Sequence, residues 1–150
     1  MPKTQSGFTL IEVMIAVVIV AVLATIAYPS YVNQILRTNR STVKGDVMEL
    51  QQWMERNYSL TNSYAILPNG TAVSIASLPF QTSPRAGTPV NYQVAFSSGP
   101  TATTYTFSAA PRGQQVGDTT CGTLTLSNAG VRGANGLTGN VASVNDCWSR

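Results

Sequence analysis

Residues 8–28 read FTLIEVMIAVVIVAVLATIAY, a run of 21 residues whose only charge is Glu12. Coiled as a helix it is about 31 Å long, close to the roughly 30 Å hydrocarbon core of a bilayer. The run is apolar all round, so it offers water no face. Three fates suit that composition: a membrane span, a cleaved secretory signal, or a helix buried in a soluble assembly. The flank before it carries one basic residue, Lys3, and Thr25-Ile26-Ala27 is a poor small-residue cleavage site. These features favour a span.

Beyond the run the pattern changes. Pro29 removes one helical hydrogen bond and crowds the carbonyl of Thr25, so a kink or local melting is expected there. Val32, Ile35, Val43, Val47, Leu50 and Met54 then recur at helical spacing, with Trp53 and Tyr58 beside them. Arg37, Arg40 and Lys44 fall on another face, joined by Glu49, Glu55 and Arg56. A stop is expected near Ser59–Asn62. Residues 61–89 hold four prolines and two glycines and read as a long loop. Period-two alternation follows at Val90, Tyr92, Val94 and Phe96, at Tyr105, Phe107 and Ala109, and at Leu124 and Leu126. Residues 128–146 read as loop, with a short strand at Gly130–Arg132. The expected fold is α+β: a long N-terminal helix, kinked at a proline, packed on a small antiparallel sheet.

Composition narrows the function. Of 150 residues 43% are hydrophobic and 10% charged, against about 25% charged in an average soluble domain. Beyond residue 59 the charges stand singly at Arg85, Arg112, Asp118, Arg132, Asp146 and Arg150. Histidine is absent, which excludes Ser-His-Asp and Cys-His catalysis. Two cysteines without histidine do not make a standard zinc site. The glycines at 130, 133, 136 and 139 lack the strand-before, helix-after setting of a phosphate loop. No enzyme, metal or cofactor is expected. Asn39, Asn57 and Asn69 begin glycosylation triplets of the kind that arise by chance. Cys121 and Cys147 either stay as two buried thiols or close a loop of about 27 residues, worth ~3.5 kcal/mol in the chain-entropy model. A bridge points to an oxidising compartment for the C-terminal part. Arg37, Arg40 and Lys44 after the span point to the cytoplasm by the positive-inside rule. The cysteines are given more weight.

The stretch Gly7-Phe8-Thr9-Leu10-Ile11-Glu12, after a short polar leader and before an unbroken apolar helix, resembles the start of a type IV prepilin. The likeness extends to Tyr58 and Tyr64 at the helix exit. It resumes at Thr106-Phe107, Pro111, Gln115, Asp118, residues 121–126, Gly130 and Cys147-Trp148, which are similar to PilE-type pilins. It is weak across 65–103. The resemblance implies the pilin fold and a division into leader 1–7, membrane half-helix 8–28, amphipathic half 29–60, αβ-loop 61–89, and sheet with a disulfide-bounded C-terminal loop 90–150. It implies cleavage after Gly7 by prepilin peptidase, N-methylation of Phe8, and assembly roles for Thr9 and Glu12. In such pilins Glu12 pairs with a neighbour's amino terminus. A plain alternative is a carboxylate near the headgroups, about 6 Å along the helix from Phe8. Pro29 matches the family's helix break, and Cys121 and Cys147 its disulfide. The implied location is a single-pass inner-membrane prepilin with an extracytoplasmic head, then an extracellular pilus. That topology overrides the local charge count.

The expected function is therefore structural: a minor pilus subunit serving twitching motility, adhesion or DNA uptake. Its expected partners are other pilin subunits, prepilin peptidase and the inner-membrane assembly platform. Two alternatives remain. A type II secretion pseudopilin shares the N-terminal motif, although the isolated Asp118 and Asp146 suit a calcium site poorly. A DNA-binding minor pilin for transformation would use Arg85, Arg112, Arg132 and Arg150 for weak phosphate contacts.

Overall fold

A computed structural model describes residues 8–149. The chain falls into two compact units, one up to Ile35 and one from Leu36. Helix α1 runs Leu10–Thr61 and contributes to both.

In the first unit Thr9 starts the helix. Its hydroxyl accepts the Glu12 backbone N–H at 3.3 Å, the bond an N-cap side chain makes to the third helical residue. Every residue from Phe8 to Tyr31 is exposed. Thr25 turns its hydroxyl back onto the Val22 carbonyl at 2.7 Å, so the one hydroxyl in mid-run is satisfied inside the helix. The segment is long and apolar enough to cross a membrane. The expected melting at Pro29 is not a feature of this structure, because α1 is helical straight through it. The proline forfeits a single bond, and the turns on either side keep theirs.

The second unit joins the rest of α1 to six strands: β1 (Thr82–Ser83), β2 (Tyr92–Ser98), β3 (Thr106–Pro111), β4 (Leu124–Ser127), β5 (Arg132–Ala134) and β6 (Leu137–Thr138). They pair in chain order, each antiparallel to the next. Val94 lies opposite Ala109, Phe107 opposite Leu126 and Leu124 opposite Ala134. The period-two residues make the buried face: Tyr92, Val94, Phe107, Ala109, Leu124 and Leu126 point into one core, with Tyr105 just before β3. From α1 the stripe Val43, Val47, Leu50 and Met54 fills the other side of that core. Val32 and Ile35, assigned to the same stripe by spacing, are only half-buried.

The C-terminal region holds more structure than its composition suggests. Helix α2 (Ala142–Ser149) buries Val144, Cys147 and Trp148 where a loop was expected. The short strand expected at Gly130–Arg132 lies two residues later and forms a hairpin with β6. Its two-residue turn, Asn135-Gly136, has positive φ at both positions, as a type I′ hairpin requires. Gly133 belongs to β5. A Cβ there would come within 2.8 Å of the Leu137 carbonyl and closer still to Thr125 Oγ1.

Candidate functional site

Two regions carry the expected functional residues. In the first unit, Phe8, Glu12, Val13, Ala16, Val17 and Val20 line a shallow apolar hollow on the helix surface. A lone carboxylate on an otherwise apolar helix surface is costly in lipid and marks a functional position by default. Gly7 lies outside the described residues.

In the second unit, Cys121 and Cys147 form a disulfide, with Cα atoms 5.6 Å apart. It fastens the segment before β4 to α2. Trp148 next to it is buried, and its indole N–H donates to the Gly133 carbonyl at 2.9 Å. This bond ties α2 to β5.

The charges after the apolar run do not form an outward face. Arg37 is exposed, but Lys44 is buried and Arg40 nearly so. Lys44 Nζ donates to the Trp148 carbonyl at 3.1 Å. Burial, then the nearby Arg40 and Arg132 charges, hold its pKa below the usual lysine value. Arg40 pairs with Asp118 at 3.2 Å and lies against Cys121 Sγ. Asp46, also buried, accepts from Ser83 Oγ at 2.6 Å and from Arg85 Nε at 2.9 Å. Arg85 forks onto Glu49 as well and stacks over the Phe80 ring, 4.6 Å from its centroid. The hydrogen-bonding partners lie 36 to 104 residues apart in the chain, so spacing along one helix does not reveal them.

The four arginines suggested for phosphate contact therefore have different surroundings. Arg85 is committed to Asp46 and Glu49. Arg132 is exposed and covers the Trp148 ring at 5.5 Å, and Arg112 is exposed. Arg150 lies outside the described residues. The Asn57 triplet is closed to modification, since Asn57 is buried and donates to the Ser63 and Ile66 carbonyls. Asn39 is engaged by Gln115.

Aromatic rings form a second layer of the core. Tyr58 meets Tyr64 at 4.5 Å and Tyr64 meets Tyr105 at 4.8 Å, centroid to centroid. The Tyr64 hydroxyl donates to Glu55 at 2.9 Å and the Tyr105 hydroxyl to the same carboxylate at 3.4 Å. Burial, and after it the Glu55 hydrogen bond and charge, pushes Tyr64 up to about 12. Burial and the Glu55 charge push Tyr105 higher, and burial and the Asp118 charge do the same to Tyr92.

A capped apolar helix with one acidic residue, an antiparallel sheet and a disulfide-tied C-terminal segment define a class, that of proteins with a prepilin-type N-terminus. The family model of the prokaryotic N-terminal methylation motif matches residues 2–28. The model of the type IV minor pilin ComP, DNA uptake sequence receptor, matches residues 29–125. The chain belongs to that minor pilin family. It is similar to the type IV major fimbrial protein FimA of Dichelobacter nodosus, 44% identical over 37% of this chain and 35% of FimA. It is also similar to the type II secretion system core protein G of Klebsiella michiganensis, 33% identical over 41% of this chain and 42% of that protein. The chain thus spans about a third of the length of the FimA relatives it matches. Among solved structures, the Neisseria meningitidis non-core minor pilin PilV aligns with a TM-score of 0.47 and 18% identity, over 73% of this chain and 94% of PilV.

Proposed function

We propose that this protein is a minor structural subunit of a type IV pilus. It is cut after Gly7, methylated at Phe8, held in the inner membrane by residues 8–28 with its head outside the cytoplasm, and polymerised through the same helix. The observation that carries the reading is the fully exposed apolar surface from Phe8 to Tyr31 with Glu12 alone in its first turn. Such a surface suits lipid before assembly and a helix bundle after it. Within a bundle Glu12 is tolerable when paired with the new amino terminus of a neighbouring subunit, each charge offsetting the other's desolvation. Thr9 caps the turn that presents Glu12. Pro29 is the position where the helix gives way when the subunit leaves the bilayer. Prepilin peptidase and the assembly platform are the partners this route requires. The test is Glu12→Ala in a strain lacking the chromosomal copy. The variant is expected to be processed and membrane-inserted yet absent from sheared fibres, and normal incorporation would refute the role. Mass spectrometry is expected to find N-methylated Phe8, whereas a chain beginning at Met1 or cut after Ala27 would overturn the processing route.

A second reading, DNA capture by the head, is favoured by the family model's description as a DNA uptake sequence receptor. Of the arginines suggested for phosphate contact, Arg112, Arg132 and Arg85 are exposed, and Arg85 contributes less because two carboxylates hold it. A gel shift of the detergent-solubilised chain that weakens with salt would support it. Replacing Arg112 and Arg132 with Gln should flatten the salt dependence by about two phosphate contacts. No shift at low salt would remove this reading.

A further inference from the structure

Leu36 is where the second unit first takes hold of α1. The side chain of Gln115, in the 3-10 turn Gly113–Gly117, is fully buried. Its Nε2 shares its two hydrogens among the Leu36 carbonyl at 3.3 Å, Tyr92 Oη at 2.8 Å and Asp118 Oδ2 at 3.1 Å. Its Oε1 accepts from Asn39 Nδ2 at 3.0 Å. One turn past Leu36, Arg40 Nη1 donates to Asp118 Oδ1 at 3.3 Å and pairs with Oδ2 at 3.2 Å. Asp118 Oδ1 also accepts the Cys121 backbone N–H at 3.3 Å. The network thus links three positions of α1, 36, 39 and 40, to the disulfide-bearing segment. Every residue from Phe8 to Tyr31 is exposed, whereas Val43 is fully buried.

We propose that Gln115, with Asn39 and the Arg40–Asp118 pair, is a stop that sets how far α1 can unwind from its N-terminal side. Unwinding that begins around Pro29 passes only the half-buried Val32 and Ile35 before it reaches the turn of Leu36, where the hydrogen bonds to Gln115 begin. Opening that turn pulls the Leu36 carbonyl and Asn39 from Gln115. A buried carboxamide is then left short of partners, and a buried ion pair loses its support. Unsatisfied buried polar groups are costly, and a network shares the penalty among its members. The turn therefore opens only together with the head. The inference rests on the pilus reading for its purpose, since only a helix that changes surroundings needs its unwinding limited. The stop itself is a property of the second unit alone.

The test is hydrogen exchange, read peptide by peptide, on the full chain in detergent micelles. Gln115→Met keeps the volume and removes the donors and acceptor. Amides of residues 36–43 should exchange about tenfold faster in this variant. Those of β2, β3 and β4 should keep their wild-type rates. Unchanged exchange at 36–43 overturns the proposal. If the head as a whole loses protection, Asn39→Ala decides, since it removes one contact and leaves Gln115 in place. A faster rate confined to 36–43, about threefold, supports the stop, and a wild-type profile overturns it. Filament assembly is scored separately. A stop that behaves as described in a subunit that never enters fibres refutes the pilus reading and leaves the stop intact.

Discussion

Helix α1 obeys two rules along its sequence. From Phe8 to Tyr31 every side chain is exposed and, apart from Thr9, Glu12, Thr25 and Ser30, apolar or aromatic; from Val43 to Met54 the stripe Val43, Val47, Leu50 and Met54 is buried, while Met48, off the stripe, is exposed. The second half is soluble-protein chemistry, in which a helix covers one face of a sheet and shows water its polar side. The first half has no polar side to show, so its solvent is lipid or other helices. Hydrophobicity alone therefore does not place a residue in a core. Its angular distribution around the helix does.

Disulfide removal should give the largest separation between the two regions. Cys121→Ser with Cys147→Ser should lower head stability by ~3.5 kcal/mol. Heat denaturation of the sheet signal measures this, and the micelle-bound helical signal of the first unit should not change. A next and similar effect is expected at Leu50, fully buried against the sheet. Leu50→Ala should cost between ~2 and 5 kcal/mol in chemical denaturation, whereas Val18→Ala, its exposed counterpart, should leave the head's midpoint where it was. Equal shifts from the two would erase the distinction. Gly133→Ala should cost about 2 kcal/mol, because the new methyl meets the Leu137 carbonyl and the Thr125 hydroxyl. Thermal melts would show it.

An effect absent at neutral pH is a pH dependence in the head. Tyr64, Tyr92 and Tyr105 all have raised pKa values against a reference of 10.0. The native state keeps these protons after the unfolded chain has begun to lose them. Stability is thus fully present below pH 10 and falls as pH rises, through about 12 for Tyr64 and beyond for the other two. Lys44 acts in the opposite sense. Its lowered pKa means the unfolded chain binds more protons, so its penalty eases as pH climbs toward 10.5. Three tyrosines against one lysine should give a net loss above pH 10. Alkaline titration followed by near-ultraviolet circular dichroism would measure it, and a flat profile to pH 12 would contradict the burial of those hydroxyls.

Much of the fold can be read from periodicity. The stripe Val43, Val47, Leu50, Met54 and the alternation through Tyr92, Val94, Phe107 and Leu124 are local signals, and each residue falls inside the core. What periodicity misses depends on distant partners. Arg40 and Lys44 look like an exposed cationic face because Asp118 and the Trp148 carbonyl lie far along the chain. Helix α2 has eight residues and no strong propensity, so tertiary contacts and the bridge at Cys147 hold it. The β5–β6 hairpin did have a signal, the Asn135-Gly136 dipeptide, hidden by the surrounding glycines. At the candidate site, Glu12 stands out because it interrupts an apolar run. Gln115 carries no mark in sequence of its buried contacts.

The two outermost strands, β1 and β6, are each two residues long. A sheet margin with its hydrogen-bonding groups open invites strands from other molecules, and long flat margins are where aggregation begins. Here each margin provides too short a template for another strand to zip along. Heads of this kind can therefore crowd side by side without fusing into cross-strand fibrils.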